Sequence, residues 1–435
     1  GFYFFSKADS LILYIFLILQ GSLMSVTIKH ININNVEIPV IFEEQKSLPI
    51  LNLQLIFKNS GYIKDNQNLG LASLSARVLN EGTKKLGSVK FSEILDDNAI
   101  TIHSAVGFET LTIELSSLKE KSNLAIKSLN ELLQSPNLSE NSLEKVKTLA
   151  IGSLKRKEND FDDVASKGLN ALLYSGTALA NPAGGTIESI SKIELKNIEQ
   201  FLKNSLTLNN LTIVAGGDIS FIELENALKP LLKELKVGEK EDIQKIEFVS
   251  KKEEKEVLKQ TEQAYIYFGS NFNAKAKDEE NYKAKVASFI LGGSGFGSRL
   301  MEEIRVKRGL AYSAYANIGI NRLYSSFSGY LQTKNESASQ AINIVKSLVD
   351  DFVKSGVTQE ELDAAKNFLL GSEPLRTETL AQRLNRAFML DFKGLSLDYP
   401  KLELEKIQNL SLEDLNNYIK THTELNNLTF FIVRK

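Results

Sequence analysis

Ile190–Val214 reads ISKIELKNIEQFLKNSLTLNNLTIV, and Ile407–Phe431 reads IQNLSLEDLNNYIKTHTELNNLTFF. The two stretches align without a gap at an offset of 217. Leu195 meets Leu412, Ile198 meets Leu415, Phe201 meets Tyr418, and Asn209-Asn210-Leu211-Thr212 meets Asn426-Asn427-Leu428-Thr429. Each reads as a short amphipathic helix, a turn and a buried strand. A second pair lies upstream: Leu138–Lys147 (LSENSLEKVK) matches Val357–Lys366 (VTQEELDAAK) at offset 219. Both start a helix, with Ser or Thr at the N-cap and acids in the first turn. Two near-equal offsets point to a duplicated unit of roughly 210 residues.

The duplication sets the division of the chain. Residues 24–235 form a first domain, 260–435 a second, and 236–259 (KVGEKEDIQKIEFVSKKEEKEVLK) a charge-dense, solvated linker. In the first half, strands are expected at Leu51–Phe57, Ala99–Ala105 and Thr110–Leu115, and helices at Leu71–Leu79 and Lys121–Leu133. Hairpin-like strands beside long helices give an α+β class: two homologous domains, each a mostly antiparallel sheet covered by helices on one face. Residues 1–23 hold a nine-residue apolar run, Leu11–Leu19. It is too short to span a bilayer. It is either a signal-like extension or sequence upstream of a start at Met24. The first reading places the protein in the periplasm or outside the cell, the second in the cytoplasm.

Composition narrows the chemistry. Among 435 residues, 52 basic against 54 acidic give a net charge of −2, which suits neither nucleic acid nor an anionic membrane. With no Cys, disulfides, thiolate metal sites and a Cys nucleophile are excluded. The three His, at 30, 103 and 422, have no mutual metal-ligand spacing.

Chemistry is expected in two places. Gly70–Thr83 reads GLASLSARVLNEGT; Leu71, Leu74 and Val78 form a core stripe, and Ser73, Ala76 and Arg77 share another face. Leu291–Tyr315 reads LGGSGFGSRLMEEIRVKRGLAYSAY. Its Gly292, Gly293, Gly295 and Gly297 do not fit G-x-G-x-x-G or a P-loop, and a helix, Tyr282–Leu291, precedes them rather than a strand. Ser298 can cap a helix from Arg299 to about Arg308, which Gly309 ends in αL. A strand then starts at Leu310, with Tyr312, Ala314, Ala316, Ile318 and Ile320 alternating onto one face.

Together these stretches resemble the insulinase/pitrilysin family of zinc peptidases, in the branch with mitochondrial processing peptidase and its two-chain bacterial relatives. The resemblance covers Met24 to Lys435, and its most specific part is the glycine loop with SRLMEEIRVKRGLAYS. The family's H-x-x-E-H places two imidazoles one helical turn apart on one metal, with a Glu as general base and a further Glu downstream. The matching positions are Ser73, Ala76, Arg77 and, in GSLKRKENDF, Ser153; none can serve, and Arg77 brings a fixed positive charge. This chain is therefore expected to bind no metal or other cofactor, with zinc expected in a partner subunit.

The resemblance implies that Arg305 and Tyr312 are the family's substrate-holding and oxyanion-stabilising pair, supplied in trans, and that the glycine loop lines a substrate chamber. The reading that follows is the non-zinc subunit of a two-chain metalloendopeptidase. Its partners are a homologous subunit with an intact zinc motif and a peptide that adds a strand to a sheet edge. The alternative is a proteolytically inactive structural or binding protein with the same fold.

Overall fold

The computed structural model describes residues 26–294 and 297–435. The apolar run Leu11–Leu19 and loop residue Gly295 lie outside them. Eleven strands are found among the described residues: β1 (Thr27–Ile33), β2 (Val36–Glu44), β3 (Ile50–Lys58), β4 (Thr101–Val106), β5 (Thr110–Leu118), β6 (Leu211–Gly217), β7 (Glu253–Leu258), β8 (Gln263–Asn271), β9 (Ala314–Ile320), β10 (Ser325–Lys334) and β11 (Thr429–Arg434). They form two sheets, ordered β1-β2-β6-β3-β5-β4 and β7-β11-β8-β10-β9.

The duplication is visible in the elements. Helix Leu195–Ser205, a 3₁₀ turn and β6 match helix Leu412–Thr421, a 3₁₀ turn and β11. Ile198 and Leu415 are both fully buried, and Thr212 and Thr429 both 1% exposed. β6 pairs parallel with β2 and antiparallel with β3; β11 pairs parallel with β7 and antiparallel with β8. All other pairings are antiparallel. This is the expected α+β duplication, with one parallel pair in each sheet.

Two compact units result, neither continuous in sequence. One gathers the described residues up to Lys155, Pro182–Ile243 and Pro374–Met389; the other gathers Arg156–Asn181, Gln244–Glu373 and Leu390–Lys435. Each sheet buries one face in a large apolar core. Leu51, Leu53, Leu55 and Phe57 do so in the first, and Ile266, Phe268, Phe430 and Ile432 in the second.

The opposite face is not bare, as one-sided cover would leave it. In the second unit, helix Phe161–Leu173 lies there. Gly168 lets it approach so closely that a Cβ would sit 2.3 Å from the Phe431 ring. Asp162 accepts from Tyr267 Oη at 2.9 Å and Gln332 Nε2 at 2.8 Å. In the first unit, residues 380–389 of helix Leu380–Phe392 take the same role. Here the strand supplies the glycine: a Cβ on Gly216 would meet Leu384 at 2.9 Å. Asn385 accepts from Gln54 at 2.9 Å, and Arg383 forks onto Glu43 with Nε–Oε1 at 3.0 Å and Nη2–Oε2 at 2.7 Å.

The stretch 236–259 is more than a linker. Its carbonyls at Lys236 and Val237 accept from Leu208 and Asn209, Glu241 pairs with Lys64, and Ile246 N donates to Leu323 O. Its last part is β7, the parallel edge of the second sheet. An edge strand exposed on both faces carries charge without cost, so EEKEVL reads as a linker while pairing as a strand.

The Glu43–Arg383 pair should be costly to break on one side. Glu43 is 1% exposed, so Arg383→Ala strands a buried carboxylate and is expected to destabilise the first unit by roughly 3–5 kcal/mol. Glu43→Leu combined with Arg383→Met should recover most of that loss in chemical or thermal denaturation. A single-mutant loss under about 1 kcal/mol, the range of an exposed pair, would refute this account.

Candidate functional site

The first expected site lies on helix Leu71–Leu79, as read from sequence. The helix starts without a side-chain cap from the preceding residue. Instead Asp65, five residues before Gly70, accepts from Gly70 N and Ala72 N at 2.8 Å each. These bonds satisfy two of the helix's open N–H groups. Asp65 is 2% exposed, and burial pushes its carboxyl up to about 6 against the two backbone N–H groups.

Ser73 Oγ donates to Ala183 O at 2.8 Å, Ala76 is 3% exposed within the packed interior, and Arg77 is exposed. Ser153 is half-buried on helix Glu140–Lys157. His30 and His103 are exposed on β1 and β4. His422 is buried, its Nδ1 2.6 Å from Glu424 Oε1 and its ring stacked 4.3 Å from that of Phe272. Among the described residues no three His, Asp or Glu side chains converge into a metal-holding group. A zinc of the family type does not fit Ser73, Ala76, Arg77 and Ser153.

The edge strand beside this helix is partly closed. Asn80 follows the helix, and its side chain donates to Ser104 O at 3.0 Å and accepts from Ser104 N at 2.8 Å. One outward peptide unit of β4 is therefore taken, and an added strand would have to displace that amide.

The second expected site departs from the sequence reading in its backbone. The helix before the glycine loop ends at Ser288 and continues as a π-turn, Phe289–Gly293. After the loop, Ser298 caps as expected, its Oγ accepting from Met301 N at 3.3 Å. Only Arg299–Met301 is α-helical, however; Glu302–Val306 is a second π-turn, closed by Lys307 N to Glu302 O at 2.9 Å. Gly309, at φ 59°, ends it as expected. π-Turns carry one residue more per turn than an α-helix, a difference the apolar spacing does not reveal.

The strand begins at Ala314, not Leu310, so Tyr312 precedes the alternation. It is 88% exposed, with the Arg305 guanidinium centred 5.8 Å over its ring. The structure therefore brings Arg305 and Tyr312 together. Glu303, two residues earlier, pairs with Lys307 at 2.7 Å and Arg308 at 3.7 Å.

Gly292 packs on the outer edge of β9: a Cβ there would lie 2.9 Å from Ala316 N. Ser288 Oγ accepts from Ile318 N at 2.9 Å. This edge too is closed by side-chain and loop atoms. Gly293 and Gly297 are described, but the loop's role as a chamber wall rests on the resemblance. Sequence reasoning did not find the Asp65 cap, the Asn80 clamp or Ser288; each acts on a partner between five and thirty residues away, with no periodic signal.

Comparison with known proteins bears on family and fold. Residues 40–187 match the model of Insulinase (Peptidase family M16), and residues 192–369 that of the Peptidase M16 inactive domain. A Helicobacter pylori protein called non-peptidase homolog YmxG is 45% identical over 98% of this chain and 97% of its own length. Among solved structures, the peptidase M16 inactive domain from Pseudomonas fluorescens superposes with a TM-score of 0.85 at 24% identity, covering 94% of this chain and 98% of that one. A protease from Helicobacter pylori superposes at 0.81 with 15% identity, over 94% of this chain and all of that one. At those identities the two structures speak to fold alone.

Two outcomes follow. The purified chain, dialysed against trace zinc and analysed for metal, should hold far less than one zinc per chain. One tightly held zinc removable only by a chelator would contradict the reading of Ser73, Ala76, Arg77 and Ser153. Asp65 gives a pH signature. Its carboxyl titrates near 6 in the fold and near 4 unfolded, so folding takes up a proton between those values. Its contribution therefore favours the native state as pH falls from 7 toward 4, by on the order of 3 kcal/mol. Melting temperatures at pH 7, 6 and 5 should show wild type gaining on Asp65→Asn as pH falls; parallel curves would count against it.

Proposed function

Because this chain belongs to the insulinase family, peptidase family M16, and cannot build that family's zinc site, we propose that it is the non-peptidase half of a two-chain metallopeptidase, lending Arg305 and Tyr312 to a homologous, zinc-bearing subunit. The supporting observation is the Arg305 guanidinium set over the exposed Tyr312 ring. A tyrosine 88% exposed contributes little to a core, whereas its O–H and the five N–H donors of Arg305 suit a peptide carbonyl presented from outside. In this reading zinc stays with the partner and supplies the Lewis acid there. Arg305 holds substrate carbonyls in place, and the Tyr312 O–H donates to the oxyanion as it develops.

A second reading has its own support. Backbone groups of Ser104 on β4 and Ile318 on β9 are occupied by Asn80 and Ser288, which suits a structural or binding protein that takes no peptide on these edges. The relative named as a non-peptidase homolog is compatible with both readings.

The two separate in one assay, peptide hydrolysis by the pair reconstituted with an H-x-x-E-H subunit, with assembly checked by gel filtration. Tyr312→Phe should leave assembly intact and lower kcat by roughly 10²–10³, the usual loss of one oxyanion donor. Arg305→Ala should raise KM, and Arg308→Ala should change little. Equal activity of Tyr312→Phe and wild type at equal assembly would exclude the shared site and leave the scaffold reading.

A further inference from the structure

A pocket of about 280 Å³ in the second unit lies behind the first π-turn, walled by Lys285, Ser288, Lys393, Tyr399, Glu403 and Asn281 among others. Its charges do not balance. Lys285 Nζ is paired with Glu403 Oε1 at 2.8 Å, and Glu403 is only 12% exposed. Lys393, half-buried on the turn after helix Leu380–Phe392, has no hydrogen bond or ion pair among the described residues. Burial lowers its pKa, Glu403 opposes that, and the neighbouring Lys285 lowers it further. A third ammonium stands close by: a Cβ on Gly394 would lie 3.0 Å from Lys277 Nζ. Of the nearby acids, Asp398 is engaged by Ser396.

Two lysines therefore face one carboxylate inside the pocket, and a cation removed from water beside a like charge is satisfied by an anion. The wall adds a second requirement. Asn281 Nδ2 donates to Lys275 O at 2.7 Å, while its Oδ1 is buried without a donor among the described residues. An occupant that brings a hydrogen-bond donor as well as negative charge would meet both needs.

We propose that this pocket is a binding site for a small anion carrying its own hydroxyl donor, of the chemistry shared by monohydrogen phosphate and an α-hydroxycarboxylate, held by Lys393 and Lys285 with Tyr399 and Asn281 completing the shell. The site is independent of whether the chain serves a peptidase. Its wall is continuous with the glycine loop and β9: Gly293 and Phe289 belong to the π-turn, and Asn317 and Ile318 to the strand. Ser288 hydrogen-bonds both Asn317 Oδ1, at 3.0 Å, and Ile318 N. An occupant thus touches the elements on both sides of the Arg305 segment.

The test is isothermal titration of the full chain with sodium phosphate, sodium lactate and sodium acetate in separate arms, at ionic strength held constant with sodium chloride. Phosphate, lactate or both should bind saturably at one site per chain, the arm that binds identifying the source, with acetate weaker because it lacks the donor. Lys393→Gln should weaken binding about tenfold or more, Lys393→Arg should retain it, and Lys354→Gln, an exposed residue of helix Ala338–Ser355 outside the pocket wall, should not change it. Without anion, Lys393→Gln should melt no lower than wild type, because an unpaired cation has been removed. Should that variant not fold, Lys285→Gln with Glu403→Gln, which neutralises the pair together, serves as the binding test. Absence of saturable binding in all arms, undiminished binding in Lys393→Gln, or acetate equal to lactate would overturn the proposal.

Discussion

A carboxylate with 1% exposure on a sheet face must have a cation, and Glu43 finds it 340 residues away in Arg383. The rest of the first unit is arranged around that need. The guanidinium uses Nε and Nη2 on the carboxylate and Nη1 on the carbonyls of Thr377 and Glu378, so it also shapes the turn into the helix. A stretch from the far end of the chain becomes part of the sheet formed by β1 to β6. The second unit meets the same demand with different chemistry. There the acid is on the helix, and Asp162 is answered by a tyrosine hydroxyl and an amide rather than a cation. A fold duplicated in sequence thus fixes each of these helices through polar contacts, but on different strands: β2 carries the acid in the first unit, and β8 and β10 carry the donors in the second.

That exchange marks the limit of what one sequence discloses. The repeated helix–turn–strand was legible because its signals are local: caps, 3.6-residue stripes and an unbroken buried strand. Helix Leu71–Leu79 was legible to the residue for the same reason. The helices Phe161–Leu173 and Leu380–Phe392 were not assignable to a sheet, because only the glycines at 168 and 216 and a few polar contacts decide where they lie. β7 was hidden by its charges. Tyr312 was placed on a strand face by an alternation that the backbone does not follow until Ala314.

The zinc positions show how far a site has moved once its ligands are gone. Ser73 has turned its hydroxyl to a backbone carbonyl, and Ala76 has joined the buried side of its helix at 3% exposure. A carboxylate at 76 would have to be buried, and an imidazole at 73 would replace the hydroxyl that donates to Ala183 O, so ligands alone would not rebuild the shell that a metal requires. Asn80 closes the neighbouring edge through a hydrogen-bonded pair as good as a strand's own. The other expected pair, in the other unit, keeps its groups in place: a half-buried Arg305 over the exposed ring of Tyr312.

The two π-turns explain why that pair is presented rather than packed. Each widens the helix next to the glycine loop, the first where Ser288 and Gly292 must lie against the edge of β9, the second where Ile304 is fully buried while Arg305 points out to Tyr312. An α-helical turn in either place would rotate the following residues by a large part of a turn and exchange buried for exposed positions. The first π-turn is also a wall of the lysine-lined pocket, whose other wall is β9 itself. The Arg305 segment therefore runs, in the chain, between two elements that both wall this pocket, the first π-turn before it and β9 after it.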